Sequence, residues 1–223
     1  TYGSITEPVD MGTRSSYSPD VGLAGGVIYV KANELMLDGA IRSSGSNAPS
    51  YTGSGGSVWL DVGTLRGVGS VAANGGNGNV SCSVGGSGGG RVAIYYADAS
   101  GFDLNRVYAY GGAAGYSGYG AWGAGTIYLK NKNEALGRVI VNNSPRGTNT
   151  APTELRAPIN APLTVVGANV ALLGNHVFTQ PVTMTNFSLA HSGTLTASSL
   201  QLSSGTWTQS GAATLESLAL LNV

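Results

Sequence analysis

The sequence predicts an all-β chain: a parallel β-helix (β-solenoid) with Gly-rich loops, followed by a smaller strand-rich solenoid segment. Three observations predict it. A glycine-introduced strand recurs as GGVIYVKA (Gly25 to Ala32), GGSVWLDV (Gly55 to Val62), GGRVAIYY (Gly89 to Tyr96) and AGTIYLKN (Ala124 to Asn131). Within these copies Ile28/Val30, Val58/Leu60, Val92/Ile94 and Ile127/Leu129 all sit at i, i+2, the period of a strand with one buried face. Amphipathic helical periodicity is essentially absent. One such unit cannot cover its own apolar face, but stacked units bury a continuous column.

In chain order, the first two dozen residues read as a leading strand, Tyr2 to Thr6, ended by Pro8 and followed by loop. From Gly25 the repeat takes over, with first strands starting after Gly26, Gly56, Gly90 and Gly125 in units of about 30 to 35 residues. A bridge follows each strand and carries an apolar plug: Leu37, Leu65, Phe102, Leu136. The second strands read GAIRS (Gly39 to Ser43), GSVAA (Gly69 to Ala73), NRVYA (Asn105 to Ala109) and GRVIV (Gly137 to Val141). Their inward set is Ile41, Val71, Val107 and Val139. Gly-rich returns, ANGGNGNVSCSVGGSGGG and YGGAAGYSGYGAWGAG, close the units. Glycine there supplies positive φ and close backbone approach at sharp corners.

The repeats occupy residues 1–143. Residues 144–162, with four prolines, read as a linker or irregular corner. Residues 163–223 carry a shorter rhythm, in LTVVGANVAL (Leu163), VTMTNFSL (Val182), LTASSLQL (Leu195) and ATLESLAL (Ala213), which suits two to four short coils. The final ESLALLNV stops on an apolar strand. Continuation of the chain, or a second subunit in a homo-oligomer such as a trimer, is expected to cover it.

Charged residues are only 10% of the 223, with eleven basic and eleven acidic. That balance favours neither nucleic acid nor an anionic membrane as partner, and no run of eighteen apolar residues predicts membrane insertion. Cys82 stands alone, so it offers no internal disulfide and reads as an ordinary loop residue. His176 and His191, fifteen apart, read as separate strand histidines and not as a ligand pair. GGNGN and GGSGG lack the aspartate of the calcium-binding β-roll repeat, so structural calcium is not predicted and no cofactor is expected. Glycine-rich look-alikes of the dinucleotide fingerprint open no helix.

Acid–base chemistry has one candidate group: Asp98, Asp103 and Arg106, between the two strands of the third unit. Turn chemistry is the default for such carboxylates, which cap backbone donors. Aromatics are the better lead. Tyr29, Trp59 and Tyr128 share one outward position, interrupted by Ala93. Tyr108 and Tyr110 point outward from the second strand, with Tyr95, Tyr96, Tyr116, Tyr119 and Trp122 around them. Exposed rings on a rigid sheet stack on sugar faces. The alternative is that the Gly-rich returns fold over the rings as a second layer. Lastly, TMT (Thr183 to Thr185), TLT (Thr194 to Thr196) and TWT (Thr206 to Thr208) recur at spacings of 11 and 12, a short version of an ice-binding rank.

YGSITEPVDMG, GGSVWLDVGTLRGVGSVAANGG, GGGRVAIYY, YAYGG and GAGTIYLK resemble a Gly-rich repeat module of very large secreted or surface proteins of bacteria. The resemblance runs from Tyr2 to Lys132 and implies a parallel β-helix-like domain in an extracellular fibre, adhesin or wall-associated protein. It brings no catalytic residues. The expected function is therefore a non-catalytic segment at the cell surface that presents loops and aromatics (Tyr29, Trp59, Tyr108, Tyr110, Trp122, Tyr128) to a surface glycan or another macromolecule. The alternatives are a polysaccharide lyase or hydrolase centred on Asp98, Asp103 and Arg106, an ice-binding solenoid, and a structural spacer.

Overall fold

A computed structural model describes residues 3–14, 22–47, 51–79, 85–115, 121–156 and 158–222. Among these the chain is all-β, with twenty strands and a single 3-10 turn, Leu104–Arg106. The first repeat supplies β1 (Val27–Met36) and β2 (Ala40–Arg42), the second β3 (Ser57–Gly67) and β4 (Ser70–Ala72). The third supplies β5 (Arg91–Tyr96), β6 (Asp98–Phe102) and β7 (Val107–Tyr108), and the fourth opens with β8 (Thr126–Asn131). The long strands pair in parallel, β1-β3-β5-β8, and the short ones form a separate sheet, β2-β4-β7.

The register stacks like on like. Ile28, Val58, Val92 and Ile127 form one column and Val30, Leu60, Ile94 and Leu129 the next. Val71 and Val107 face them from the short-strand sheet, and Leu37, Leu65 and Phe102 plug the bridge between the two sheets. Leu136 is only half-buried. Burial of each large aliphatic side chain contributes about 1.5–3 kcal/mol. Ile28, Val30 and Ile41 are half-buried because the first repeat has a neighbour on one side alone.

Two expectations need correction. The described part of the leading segment, Gly3 to Thr6, forms bends and no strand. GRVIV does not extend the short-strand sheet. It forms β9 (Arg138–Asn142), turns back and pairs antiparallel with β8, Ile127 opposite Ile140 and Tyr128 opposite Val139. Val139 consequently faces the opposite side of the sheet from Val71 and Val107. The physical reason is visible in the strand itself. AIR, SVA and RVY have one apolar face, whereas Val139, Ile140 and Val141 are apolar on both, which suits a strand covered on both sides.

Beyond β9 come β10 (Thr153–Leu155), β11 (Leu163–Val166), β12 (Asn169–Leu173) and β13 (His176–Phe178). The same three-strand unit then repeats as β14 (Val182–Thr185), β15 (Ser188–Ser192) and β16 (Thr194–Ala197). It repeats again as β17 (Leu200–Ser203), β18 (Thr206–Gln209) and β19 (Ala212–Leu215), before β20 (Leu218–Leu221) closes the row. Three parallel sheets result. β9-β11-β14-β17-β20 continues the long-strand sheet, while β10-β12-β15-β18 and β13-β16-β19 stand apart from it. The Pro-rich stretch thus contributes a strand, β10, beneath β12. The phrases at Leu195 and Ala213 begin on a different sheet from those at Leu163 and Val182, which is why the four starts are unevenly spaced in the sequence.

The ten-stranded sheet therefore carries two cores on opposite faces. Val58, Leu60, Ile94 and Leu129 lie in one. Their strand neighbours Ala93 and Tyr128 lie in the other, with Val139, Val141, Leu163, Val165, Leu189 and Phe178. Alternation along β5 and β8 places successive residues in different cores.

The Gly-rich returns pack on one another. Gly45 N–H donates to Asn74 O, Gly75 to Tyr110 O, Gly76 to Gly53 O and Gly112 to Ser87 O, all within 2.7–2.9 Å. Side-chain amides join them: Asn47 Oδ1 accepts from Asn77 N–H, Asn77 Oδ1 from Ala113 N–H, and the buried Asn143 from Gly111 N–H. None of these return glycines has positive φ. Glycine is required there for backbone approach, as a Cβ on Gly45, Gly75 or Gly112 would strike a neighbouring carbonyl. Positive φ instead marks the corners after β11, β14 and β17, at Gly167, Asn186 and Ser204.

Candidate functional site

The outward face of β1, β3, β5 and β8 is where the predicted aromatics come together. Register places Tyr29 beside Trp59, Trp59 beside Ala93 and Ala93 beside Tyr128. Ala93 leaves a gap in the column, and Tyr95, two residues along the same face, leans into it. Tyr29 and Trp59 have ring centroids 4.6 Å apart, Trp59 and Tyr95 6.4 Å, Tyr95 and Tyr128 5.6 Å, all tilted. The result is one ladder of four rings across four strands. The sequence reading assigned Tyr95 to the second-strand cluster, and its place on β5 corrects that. Tyr96, one residue on, packs against the inner core.

Burial is graded along the ladder. Tyr29 is 51% exposed, Trp59 and Tyr95 are half-buried, and Tyr128 is buried at 8%. Tyr128, expected among the exposed rings, lies in the second core against Gly137, where a Cβ would come within 2.5 Å of the ring. The leading segment covers the middle. Ile5 packs against the second core, as Trp59 and Tyr95 do, the Tyr95 hydroxyl donates to Thr6 O at 3.1 Å, and Ser57 Oγ donates to Asp10 O at 2.6 Å. Asp10 also pairs with the buried Arg91 guanidinium at 3.6 Å. So the covering layer over the described rings is this segment and the second core, where the sequence reading offered the Gly-rich returns. Burial, then the neighbouring Tyr128 and Glu7, push the Tyr95 phenol up to about 12, and burial raises Tyr128 as well.

Next to the exposed end of the ladder lies an open cleft of about 510 Å³, lined by Lys31, Ala32, Asn33, Asp61, Gly63 and Lys132. Lys31 pairs in register with Asp61 and Asp61 with Tyr95, so these polar groups share the face of the rings. Asp61 Oδ1 lies 2.5 Å from Lys132 Nζ and Oδ2 3.9 Å from Lys31 Nζ. Gly63 has no room for a side chain, since a Cβ would overlap Asn33 O. Gly63, on the same face as Asp61, keeps the floor low. Lysines and the aspartate had drawn no attention in sequence as a group. Lys31 and Asp61 each stand two residues past a ring of the aromatic column, an offset visible in the sequence, whereas Lys132 stands four past Tyr128.

The other predicted rings lie elsewhere. Tyr108 and Tyr110 are both half-buried, with centroids 5.3 Å apart, at the end of the short-strand sheet, and burial raises the Tyr110 phenol. Trp122 is 47% exposed on a Gly-rich return. Tyr116, Tyr119 and Cys82 lie outside the described residues.

Asp98, Asp103 and Arg106 are all exposed; the two carboxylates bond within their own turns and Arg106 to the preceding repeat. Asp98 Oδ1 accepts from Ser100 N–H at 2.8 Å, which holds its carboxyl below the usual range. Asp103 Oδ1 accepts from Asn105 N–H at 2.9 Å and caps the 3-10 turn, while Arg106 donates to Val68 O. Among the described residues no ion pair joins Arg106 to either carboxylate.

The Thr-x-Thr rank does not form: TMT lies on β14, TLT on β16 and TWT on β18, in three different sheets. His176 and His191 are both buried in the second core region, close enough for His176 to depress the His191 imidazole, which burial depresses first. Among the described residues no group of three or more His, Cys, Asp or Glu could hold a metal ion, and no helix is long and apolar enough to cross a membrane. Comparison of the chain with protein-family models, curated proteins and solved structures finds no match.

Proposed function

We propose that this chain is a non-catalytic β-solenoid segment of an extracellular fibre or adhesin that holds a surface glycan on the Tyr29–Trp59 ledge. The observation that carries the reading is the graded ladder. Three of its rings are held by the core and the leading segment, so the fourth, Tyr29, is presented on a rigid base next to a polar cleft. An aromatic face with low conformational freedom beside hydrogen-bonding groups suits a pyranose, which is apolar on its C–H faces and polar at its rim. The stacked parallel repeats support the solenoid part. The cell-surface part rests on the low charge and on the resemblance of the Gly-rich phrases. In this reading copies of the chain associate as a homo-oligomer, a trimer in the simplest case.

A glycan array with the purified chain, with product analysis in the same wells, tests the proposal. Retention without new fragments is expected. Tyr29→Ala and Trp59→Ala are expected to weaken it about tenfold, roughly 1.4 kcal/mol, with the thermal midpoint of Tyr29→Ala unchanged. Normal retention by both variants would make the ladder purely structural. New oligosaccharide fragments would move attention to Asp98 and Asp103.

A further inference from the structure

We infer that the glycan held at this ledge is acidic, with a uronate carboxylate bound by the Lys31 ammonium in the adjoining cleft. The inference rests on the glycan-binding reading above and adds the chemical class of the ligand. The cleft sets two cations, Lys31 and Lys132, against one carboxylate, Asp61. The three are not equivalent. Asp61 is within contact distance of Lys132 at 2.5 Å, whereas Lys31 stands 3.9 Å away, beyond hydrogen-bond range. Lys132 therefore neutralises Asp61, and Lys31, its side chain 73% exposed, carries the unmatched charge of the site.

Of the neighbouring charges, Glu34 pairs with Arg66 and Lys130 Nζ donates to Glu134 O, while Glu7 acts on the Tyr95 phenol. The geometry suits one sugar residue. Tyr29 and Lys31 project from the same face of β1 two residues apart, roughly 6.6 Å along the strand. A pyranose stacked on Tyr29 would direct an exocyclic carboxylate toward Lys31, over the low floor at Gly63. A neutral sugar returns to that ammonium a hydrogen bond from a hydroxyl oxygen, whereas a carboxylate returns the stronger bond between two opposite charges.

Calorimetric titration of the full chain with polygalacturonate and with alginate, each against its carboxyl-reduced form, tests the inference. The acidic form of at least one polymer is expected to bind at least about tenfold tighter than its reduced form at low salt, with the advantage shrinking as salt screens it. Lys31→Gln is expected to remove that advantage by weakening the acidic form far more than the reduced form. Equal affinity for both forms, or no effect of Lys31→Gln, would overturn the acidic assignment. The ledge reading would survive that result if Trp59→Ala still weakened binding of the reduced form about tenfold. If all four polymers fail to bind while neutral glycans are retained on the array, the acidic assignment alone falls. Silence on the array as well would remove both.

Discussion

Gly56, Gly90 and Gly125 each direct the place where a Cβ would stand at the carbonyl oxygen of the glycine one repeat earlier, Gly26, Gly56 and Gly90 respectively. Each N–H one residue later, on Ser57, Arg91 and Thr126, donates to the same carbonyls at 2.9–3.1 Å. The hydrogen bond and the missing side chain are two sides of one requirement, which is that the layers approach closely. Gly26 occupies the same repeat position on the end layer and faces open space. The pair gives a controlled experiment. Gly90→Ala is expected to lower stability by about 1–3 kcal/mol or more through overpacking, and Gly26→Ala to stay within about 0.5 kcal/mol. Equal urea midpoints for the two variants would show that the column does not constrain residue size.

At the level of the element, β15 places a titratable ring where its neighbours place other chemistry. His191 pairs in register with Leu172 on β12 and Gln209 on β18 and is buried, with the Thr194 backbone near its ring. His176 on β13 is the ionisable neighbour that acts on it. Burial holds the folded-state value below the ordinary 6.5, so the unfolded chain takes up the proton first. Stability contributed by the neutral ring is complete above about 6.5 and is lost as pH falls below it, by at most about 1.4 kcal/mol per pH unit for one proton. Denaturant midpoints between pH 7.5 and 5 are expected to fall for the native chain and to flatten in His191→Leu. Leucine suits the site because Leu172 fills the same position one repeat earlier. A native profile without slope, or a variant with the native slope, would rule His191 out as the source.

For the whole molecule, the decisive feature is one continuous ten-stranded sheet with a core on each face, exchanged at the β8–β9 hairpin. The exchange buries Tyr128 and so braces the far end of the aromatic ladder from behind. Both ends of the sheet are exposed strands: Val27, Tyr29 and Met36 on β1, Leu218, Leu220 and Leu221 on β20. Leu218 and Leu220 stack in register on Leu200 and Leu202, continuing a core column to the surface. An apolar row beside an unpaired strand edge is a ready template for association. The homo-oligomer proposed above predicts concentration-dependent assembly in sedimentation velocity, reduced by Leu220→Asp. A chain that stays monomeric at tens of micromolar would remove the proposal.

Local sequence determined the strands, their inward residues and their repeat, because a strand's two-residue period and its glycine punctuation are written within eight or ten positions. Ile28/Val30, Val58/Leu60, Val92/Ile94 and Ile127/Leu129 were legible for that reason, as was the shared position of Tyr29, Trp59 and Tyr128. Tertiary structure alone decided the rest. Whether GRVIV continued its sheet or folded back depended on which surface needed covering, and that surface is made by Leu163 to Leu202, far along the chain. The same choice fixed which aromatic rings stayed exposed. Lys31, Asp61 and Lys132 became one cleft only when strands thirty or more residues apart came into register, and Lys132, past the end of β8, lies outside the two-residue offset that Lys31 and Asp61 share.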